Sequence, residues 1–239
     1  MSITLTARAP VAIKHRPPFG TTAGAVYGNS FRAKRMGMFL ALADEVLLHQ
    51  PVCRILDLGG EKAYWMGLED VWHTRNLSIT LVNVEERNDS EGRYNYHAGD
   101  ARDLKQYSNN SFDVVHSNSV IEHVGRWPDM RRMADEVRRL APSYFVQTPN
   151  YWFPYEPHLR MPCIQWLPQP WQRRIVMARA CGFYPKARTV MEANDILTDA
   201  LLLDAASMQA LFPDAQIERE RVGPFTKSLI AVRRSSTGS

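Results

Sequence analysis

The chain has 239 residues, 45% of them hydrophobic, with 29 basic against 25 acidic residues and a net charge of +4. This is enough apolar material for one domain with a substantial core and room for an insertion. No apolar run approaches a membrane span, and the first residues lack the apolar centre of a secretory signal, so no transmembrane segment is expected.

Cys53, Cys163 and Cys181 have no metal-ligand spacing and leave an odd thiol, which fits a reducing, cytoplasmic setting. The histidines and cysteines form no zinc pattern, and no metal is expected. Charge is unevenly placed: no acidic residue precedes Asp44, whereas Arg8, Lys14, Arg16, Arg32, Lys34 and Arg35 are all basic. Such an arm meets an anionic substrate, a membrane surface or nucleic acid, or is a solvated arm and helix face, the commoner outcome. No RNA-binding module is recognisable, so nucleic acid is not expected as a partner.

Residues 1–28 are punctuated by Pro10, Pro17, Pro18, Gly20, Gly24 and Gly28 and read as irregular. From Ser30 to about His49 the stripe Phe39, Leu42, Val46 and Leu47 predicts a helix. Tyr27, Asn29 and Arg32 just ahead of that stripe could close over a ligand.

The stretch from Arg54 to Glu61 organises the rest of the chain. A buried strand through Ile55 and Leu56 ends at Asp57 and the pair Gly59-Gly60, and apolar character resumes at Ala63-Tyr64-Trp65-Met66. Glycines at such a turn let a ligand approach bare backbone. A second strand is predicted over Ile79–Val84, ending at Glu85-Glu86, and a third over Tyr94–Ala98, ending at Gly99-Asp100-Ala101. A fourth covers Phe112–Ser117 and a fifth Tyr144–Thr148, ending at Pro149-Asn150. Pro128 can start a helix whose buried face is Met130, Met133, Ala134, Val137 and Leu140. Ser119-Val120-Ile121-Glu122 fits a capping box, which makes Glu122 a helix cap.

Strand and helix in alternation imply a parallel sheet with helices on both faces. In such sheets ligands lie beyond the carboxyl ends of the strands. Gly59-Gly60, Glu85, Asp100, Asn118 and Asn150 all fall at those ends and together define a ligand rim. Glu85 stands where a carboxylate can accept two hydrogen bonds from ribose hydroxyls. Glu61 would set a carboxylate against a pyrophosphate, yet it tolerates a ligand with ribose, no phosphate and a positive charge. An adenosyl sulfonium meets all three conditions.

The order Leu56-Asp57-Leu58-Gly59-Gly60, Glu85, Gly99-Asp100-Ala101-Arg102-Asp103-Leu104 and Ser111-Phe112-Asp113-Val114-Val115 resembles class I S-adenosylmethionine-dependent methyltransferases, within them the bacterial small-molecule group called type 11. The resemblance runs from about Arg54 to Thr148. It implies a Rossmann-like, doubly wound, seven-stranded α/β sheet in the order 3-2-1-4-5-7-6, mostly parallel with one antiparallel strand near the C-terminus. It also implies S-adenosyl-L-methionine as cofactor. Asp57 would belong to the cofactor site, with Gly59 and Gly60 by the methionine part, Glu85 by the ribose, Asp100 and the backbone of Ala101 by the adenine, and Asn118 on the methionine side. Glu61 and Ala63 stand where the family's glycine-rich loop has glycines, a departure that bears on the loop path.

From Asn150 to about Val190 aromatic residues alternate with prolines, and Arg173, Arg174, Arg179, Lys186 and Arg188 make the second half basic. Leaving the fifth strand at the rim, this segment is expected to fold over the site as a substrate cap. A homodimer contact or a peripheral membrane contact is the alternative. Tyr27, Asn150, Tyr151, Trp152 and Arg173 are the candidate substrate residues. An Asp204-capped helix and two strands, about Ala215–Val222 and Lys227–Val232, close the chain. Four parts are thus expected: 1–50 arm and helix, 51–149 cofactor-binding core, 150–190 cap, and 191–239 completion of the sheet.

The expected activity is methyl transfer to an oxygen or nitrogen of a small molecule, anionic or aromatic. Most of the rate in such a displacement can come from alignment, and a base is needed only where the acceptor must lose a proton. His123, His158 and Glu156 are the candidate bases, with His123 alternatively packing beneath the cofactor. A nicotinamide-dependent oxidoreductase, disfavoured by the first loop, and a non-catalytic binding protein on the same fold are the competing readings.

Overall fold

The computed structural model describes residues 25–84 and 89–235, with only the backbone described for 25–30. Ten strands are present among them: β1 (Cys53–Leu58), β2 (Leu77–Asn83), β3 (Asp89–Glu91), β4 (Tyr94–Ala98), β5 (Val114–Asn118), β6 (Ser143–Pro149), β7 (Tyr155–Glu156), β8 (Met161–Pro162), β9 (Gln216–Val222) and β10 (Phe225–Arg233). The helices are α1 (Ala25–Leu47), α2 (Lys62–Met66), α3 (Glu69–Trp72), α4 (Trp127–Leu140), α5 (Gln169–Ala178), α6 (Val190–Thr198) and α7 (Ala205–Leu211).

Eight strands form one sheet in the order β3-β4-β2-β1-β5-β6-β10-β9. Without β3 this is the expected 3-2-1-4-5-7-6 arrangement. β4, β2, β1, β5 and β6 run parallel, and β10 lies antiparallel between β6 and β9. The eighth strand, β3, adds an edge to the seven expected. Its three residues, Asp89, Ser90 and Glu91, are all exposed and carry no apolar alternation, so nothing in the sequence marks them. They pair with β4 across a turn at Gly92, whose φ of +62° suits glycine.

Alternation along the strands builds the two faces of the sheet. Ile55, Ile79, Leu81, Val114, Phe145 and Ile230 point to one face, where α1 and α3 cover them with Phe39, Leu42 and Trp72. Leu56, Leu58, Val115, Val146 and Leu229 point to the other, against the buried stripe of α4 and the Met208 and Leu211 side of α7. The expected helix at Pro128 is α4, and the five residues assigned to its inner face are all buried. At the lower edge Arg54 clamps Asp113, donating from Nη2 to Oδ1 at 2.8 Å and from Nε to Oδ2 at 3.2 Å, which ties β1 to the start of β5.

The chain between β6 and α7 has a core of its own. Leu159, Ile164, Val176, Cys181, Ala187 and Ala193 cluster together, so α5 and α6 pack on each other and on the β7–β8 hairpin side of the insert. Asp204 caps α7 by accepting from the Ser207 amide at 2.8 Å. Among the described residues no helix is long and apolar enough to cross a membrane.

Candidate active site

The first loop is shaped from beneath. Asp57, at the end of β1, is 2% exposed and spends both oxygens inside the core. Oδ1 is 2.8 Å from His116 Nδ1 on β5, and Oδ2 accepts from Trp65 Nε1 on α2 at 2.7 Å. His116 is itself wedged between Phe145, stacked at 5.7 Å, and the edge of Phe39 at 4.9 Å. Gly59 comes next with φ +69°, and a Cβ there would come within 2.5 Å of Val120. A Cβ on Gly60 would lie 2.2 Å from Asp57 Oδ2. Both glycines are therefore required by close approach, and the loop passes over the carboxylate with bare backbone.

Above this loop is a cleft of about 30 Å³ lined by Arg32, Asp57, Gly59, Gly60, Tyr64 and Asn118, with Glu61 and His116 at its walls. Four of the residues expected at the cofactor thus meet in one place. Three buried polar atoms of the cleft, Asn118 Oδ1, His116 Nε2 and the Tyr64 hydroxyl oxygen, have no hydrogen-bond partner among the described residues. Burial pushes the Tyr64 hydroxyl far above the usual range, with Arg35, Asp57 and Arg32 as lesser influences, so it stays a neutral phenol. The half-buried Glu61 and Arg32 put one carboxylate and one guanidinium on the cleft lining.

Arg32 reaches the cleft because α1 is anchored at the rim. Arg35 and Lys227 converge on the buried carboxylate of Glu220 at 3.6 and 3.9 Å, and Lys227 Nζ lies 4.0 Å from the centre of the Phe31 ring. Burial holds the Lys227 ammonium below its usual pKa, while Glu220 opposes that shift.

Two residues expected at the adenine, Asp100 and Ala101, lie after β4. Asp100 does not stand free: its carboxylate grips Arg102, with contacts down to 2.6 Å, and accepts the Arg102 amide at 2.9 Å. Burial pulls its pKa up, but the Arg102 bonds outweigh this and hold it below the ordinary value. Ala101 packs at the margin of the core beside it. Glu85, expected at the ribose, and the side chain of Tyr27 lie outside the described residues.

At the end of β5 the structure corrects the sequence reading. No capping box forms at Ser119. Ser119 takes a left-handed φ of 56° and donates through Oγ to Gln147 Oε1 at 3.0 Å, and only one 3-10 turn, Ile121–His123, comes after it. The sharp turn costs roughly 1 kcal/mol or more of backbone strain. It sends Glu122 inward, fully buried, where Oε2 accepts from Thr148 Oγ1 at 3.0 Å. Glu122 is an interior carboxylate and not a helix cap.

His123 and His158 meet beside it, their rings 4.8 Å apart and nearly perpendicular. His123 Nδ1 is 3.0 Å from the carbonyl of Asp199, and His158 Nδ1 is 2.7 Å from Glu156 Oε1. The other oxygen of Glu156 accepts the Leu159 amide. The three candidate bases thus gather with Glu122 at the ends of β5 and β6, beneath the insert. A cavity of about 200 Å³ opens against two of them, Glu156 and His158, and is lined also by Tyr151, Gln165, Tyr184 and Leu201 among others.

The candidate substrate residues separate. Tyr151 lines the cavity, whereas Asn150 is a structural link, donating to the Thr226 carbonyl at 2.8 Å. Trp152 is 60% exposed and leans on Tyr151, and Arg173 sits half-buried on α5 away from the cavity lining. His116, Tyr64, Glu122 and Tyr184 also shape the site, although no motif assigns them to it. His116 sits mid-strand in an apolar run, the one signal that could have marked it.

Comparison with known proteins bears on the family and the fold. Residues 66–143 match the family described as a methyltransferase domain. Two uncharacterized proteins from two strains of Mycobacterium tuberculosis are each 40% identical over 55 residues, 23% of this chain. The match spans 19% of the length of these curated relatives. Among solved structures, the DszA carbon methyltransferase superposes with a TM-score of 0.55 at 12% identity, covering 92% of this chain and 57% of that one. The family match and the fold bear out the resemblance to class I S-adenosylmethionine-dependent methyltransferases.

Proposed function

We propose that the chain transfers a methyl group from S-adenosyl-L-methionine to an oxygen or nitrogen of a small molecule held beneath the insert. The observation that carries this reading is the cleft over the glycine loop, where Asp57, Gly59, Gly60 and Asn118 meet, together with a larger cavity whose wall includes the candidate bases Glu156 and His158. Asn118 Oδ1 and the Glu61 carboxylate favour an ammonium or sulfonium over a phosphate. Gly59 and Gly60 let the cofactor rest on bare backbone above Asp57, and Glu85 would hold the ribose. When bound, S-adenosylmethionine supplies an electrophilic methyl group.

The remaining work falls to the chain itself. The segment 150–190 acts as the cap that places the acceptor and excludes water, with Tyr151 orienting it. Where the acceptor is a hydroxyl, its proton leaves at the cluster of His123, His158 and Glu156, of which His158 and Glu156 line the cavity. Alignment of the acceptor with the methyl group accounts for most of the rate. The reading is tested by incubating the chain with methyl-labelled S-adenosylmethionine and a metabolite mixture, then locating the label. Label on a small-molecule oxygen or nitrogen supports it; label on carbon or macromolecule, or none with cofactor still bound, contradicts it.

A further inference from the structure

We infer that Glu122, His123 and His158 form a binding site for one divalent transition-metal ion. One donor atom of each, a carboxylate oxygen and two ring nitrogens, lies within 4.8 Å of the others. A tetrahedral ion with bonds of about 2.0–2.1 Å holds its ligands roughly 3.4 Å apart. Each side chain therefore moves inward by under about 1 Å to close on an ion of that size.

The shell around these groups is arranged for coordination. The Asp199 carbonyl fixes Nδ1 of His123 as a donor, and the Glu156 carboxylate does the same for Nδ1 of His158. In both rings Nε2 is then the nitrogen that carries the lone pair. A carboxylate or carbonyl on the far nitrogen is the usual support of a metal-bound histidine. Glu156 is in turn held by the Leu159 amide, so the support is itself fixed.

Glu122 supplies an independent observation. It is fully buried, and although Oε2 is bonded to Thr148, Oε1 has no hydrogen-bond partner among the described residues. A buried carboxylate oxygen without a partner is costly, and a cation beside it removes that penalty. Two imidazoles and one carboxylate suit Zn²⁺ or Fe²⁺ with positions left open. His158 also lines the 200 Å³ cavity, which gives those positions access to a small molecule. An ion there would occupy Nε2 of both histidines and, in place of their action as bases, lower the pKa of a hydroxyl bound to it. That role rests on the methyl-transfer reading, whereas the binding of the ion does not. The ligands were invisible as a motif because His158 comes from the insert and only the fold brings it to Glu122-His123.

The test uses the full chain, stripped with a chelator and titrated with Zn²⁺ or Co²⁺. We expect one ion per chain by elemental analysis after gel filtration, visible absorption bands with Co²⁺, and a raised melting temperature. His158→Ala should abolish stoichiometric binding, and Glu156→Gln should weaken it 10- to 100-fold. Circular dichroism checks that both variants fold; if His158→Ala does not, the Glu156→Gln affinity and the wild-type cobalt spectrum decide. Absence of stoichiometric binding in wild type, or equal binding in wild type and folded variants, overturns the site. None of these readouts needs methyl transfer, so an inactive chain that binds the ion would fail the proposed function and keep this inference.

Discussion

The side chain of Asp57 occupies the space that any side chain on Gly60 would need. A Cβ there would sit 2.2 Å from Asp57 Oδ2, the oxygen already fixed at 2.7 Å by Trp65 Nε1. The carboxylate cannot swing aside without giving up Trp65 or His116. We therefore expect Gly60→Ala to cost about 1–3 kcal/mol of stability and to weaken S-adenosylmethionine binding at least 10-fold. Gly92→Ala is the control: its added Cβ meets nothing within 4 Å, so only the left-handed strain of about 1 kcal/mol remains and binding is unchanged. Denaturant titration and calorimetry separate the two.

Removing Asp57 tests the same relationship from the other side. Asp57→Ala strands Trp65 Nε1 and His116 Nδ1 in the core, and each buried group left unpaired costs about 1–3 kcal/mol. We expect a large fall in stability and a changed Trp65 fluorescence. A variant as stable as wild type would show that these bonds contribute nothing.

Much of this architecture was legible in the sequence, for identifiable reasons. The strands at Ile55, Ile79, Val114 and Phe145 are buried on both faces and read as apolar runs, and α4 shows a stripe at helical spacing. Strand order was implied by the resemblance to class I methyltransferases, and the place of the cleft by the glycine pair and the polar residues at strand ends. The local path after β5 was not legible. Ser119 and Glu122 have the spacing of a capping box, but Gln147 on the neighbouring strand captures the Ser119 hydroxyl and Thr148 captures Glu122. Those partners are distant in sequence, and tertiary contacts overrode the local signal. The meeting of Glu122 with His158 was hidden for the same reason, and Asp89–Glu91 gave no apolar pattern to read.

Gly182 links the insert to the candidate active site. With φ +55°, a Cβ on it would lie 2.0 Å from the carbonyl oxygen of His158. Gly182→Ala must displace the His158 backbone, so we expect methyl transfer to fall at least 10-fold with S-adenosylmethionine affinity kept. Loss of cofactor binding in that variant would show that the two spaces are not independent.

Acid stability depends on Glu136. The Arg139 guanidinium, against a smaller opposing effect of burial and with help from the Leu104 amide, holds its carboxyl below the usual range. A depressed folded pKa contributes stability above the unfolded value, about 4.3, and loses it as pH falls through the folded one. Glu136→Gln should thus lower stability at pH 7 by about 1–3 kcal/mol, with the difference from wild type shrinking below about pH 4. Urea titrations across that range check it; a difference that grows toward acid contradicts the sign.

The most direct measurement is calorimetric titration of the full chain with S-adenosylmethionine and, separately, with NADH, repeated on Asn118→Ala and Glu85→Ala. We expect one S-adenosylmethionine per chain, no NADH binding, and weaker cofactor affinity in both variants, by about 2–3 kcal/mol for Glu85→Ala if both ribose bonds are charge-assisted. Tight binding of NADH with none of S-adenosylmethionine, or cofactor affinity untouched by both substitutions, would contradict the assignment of this cleft.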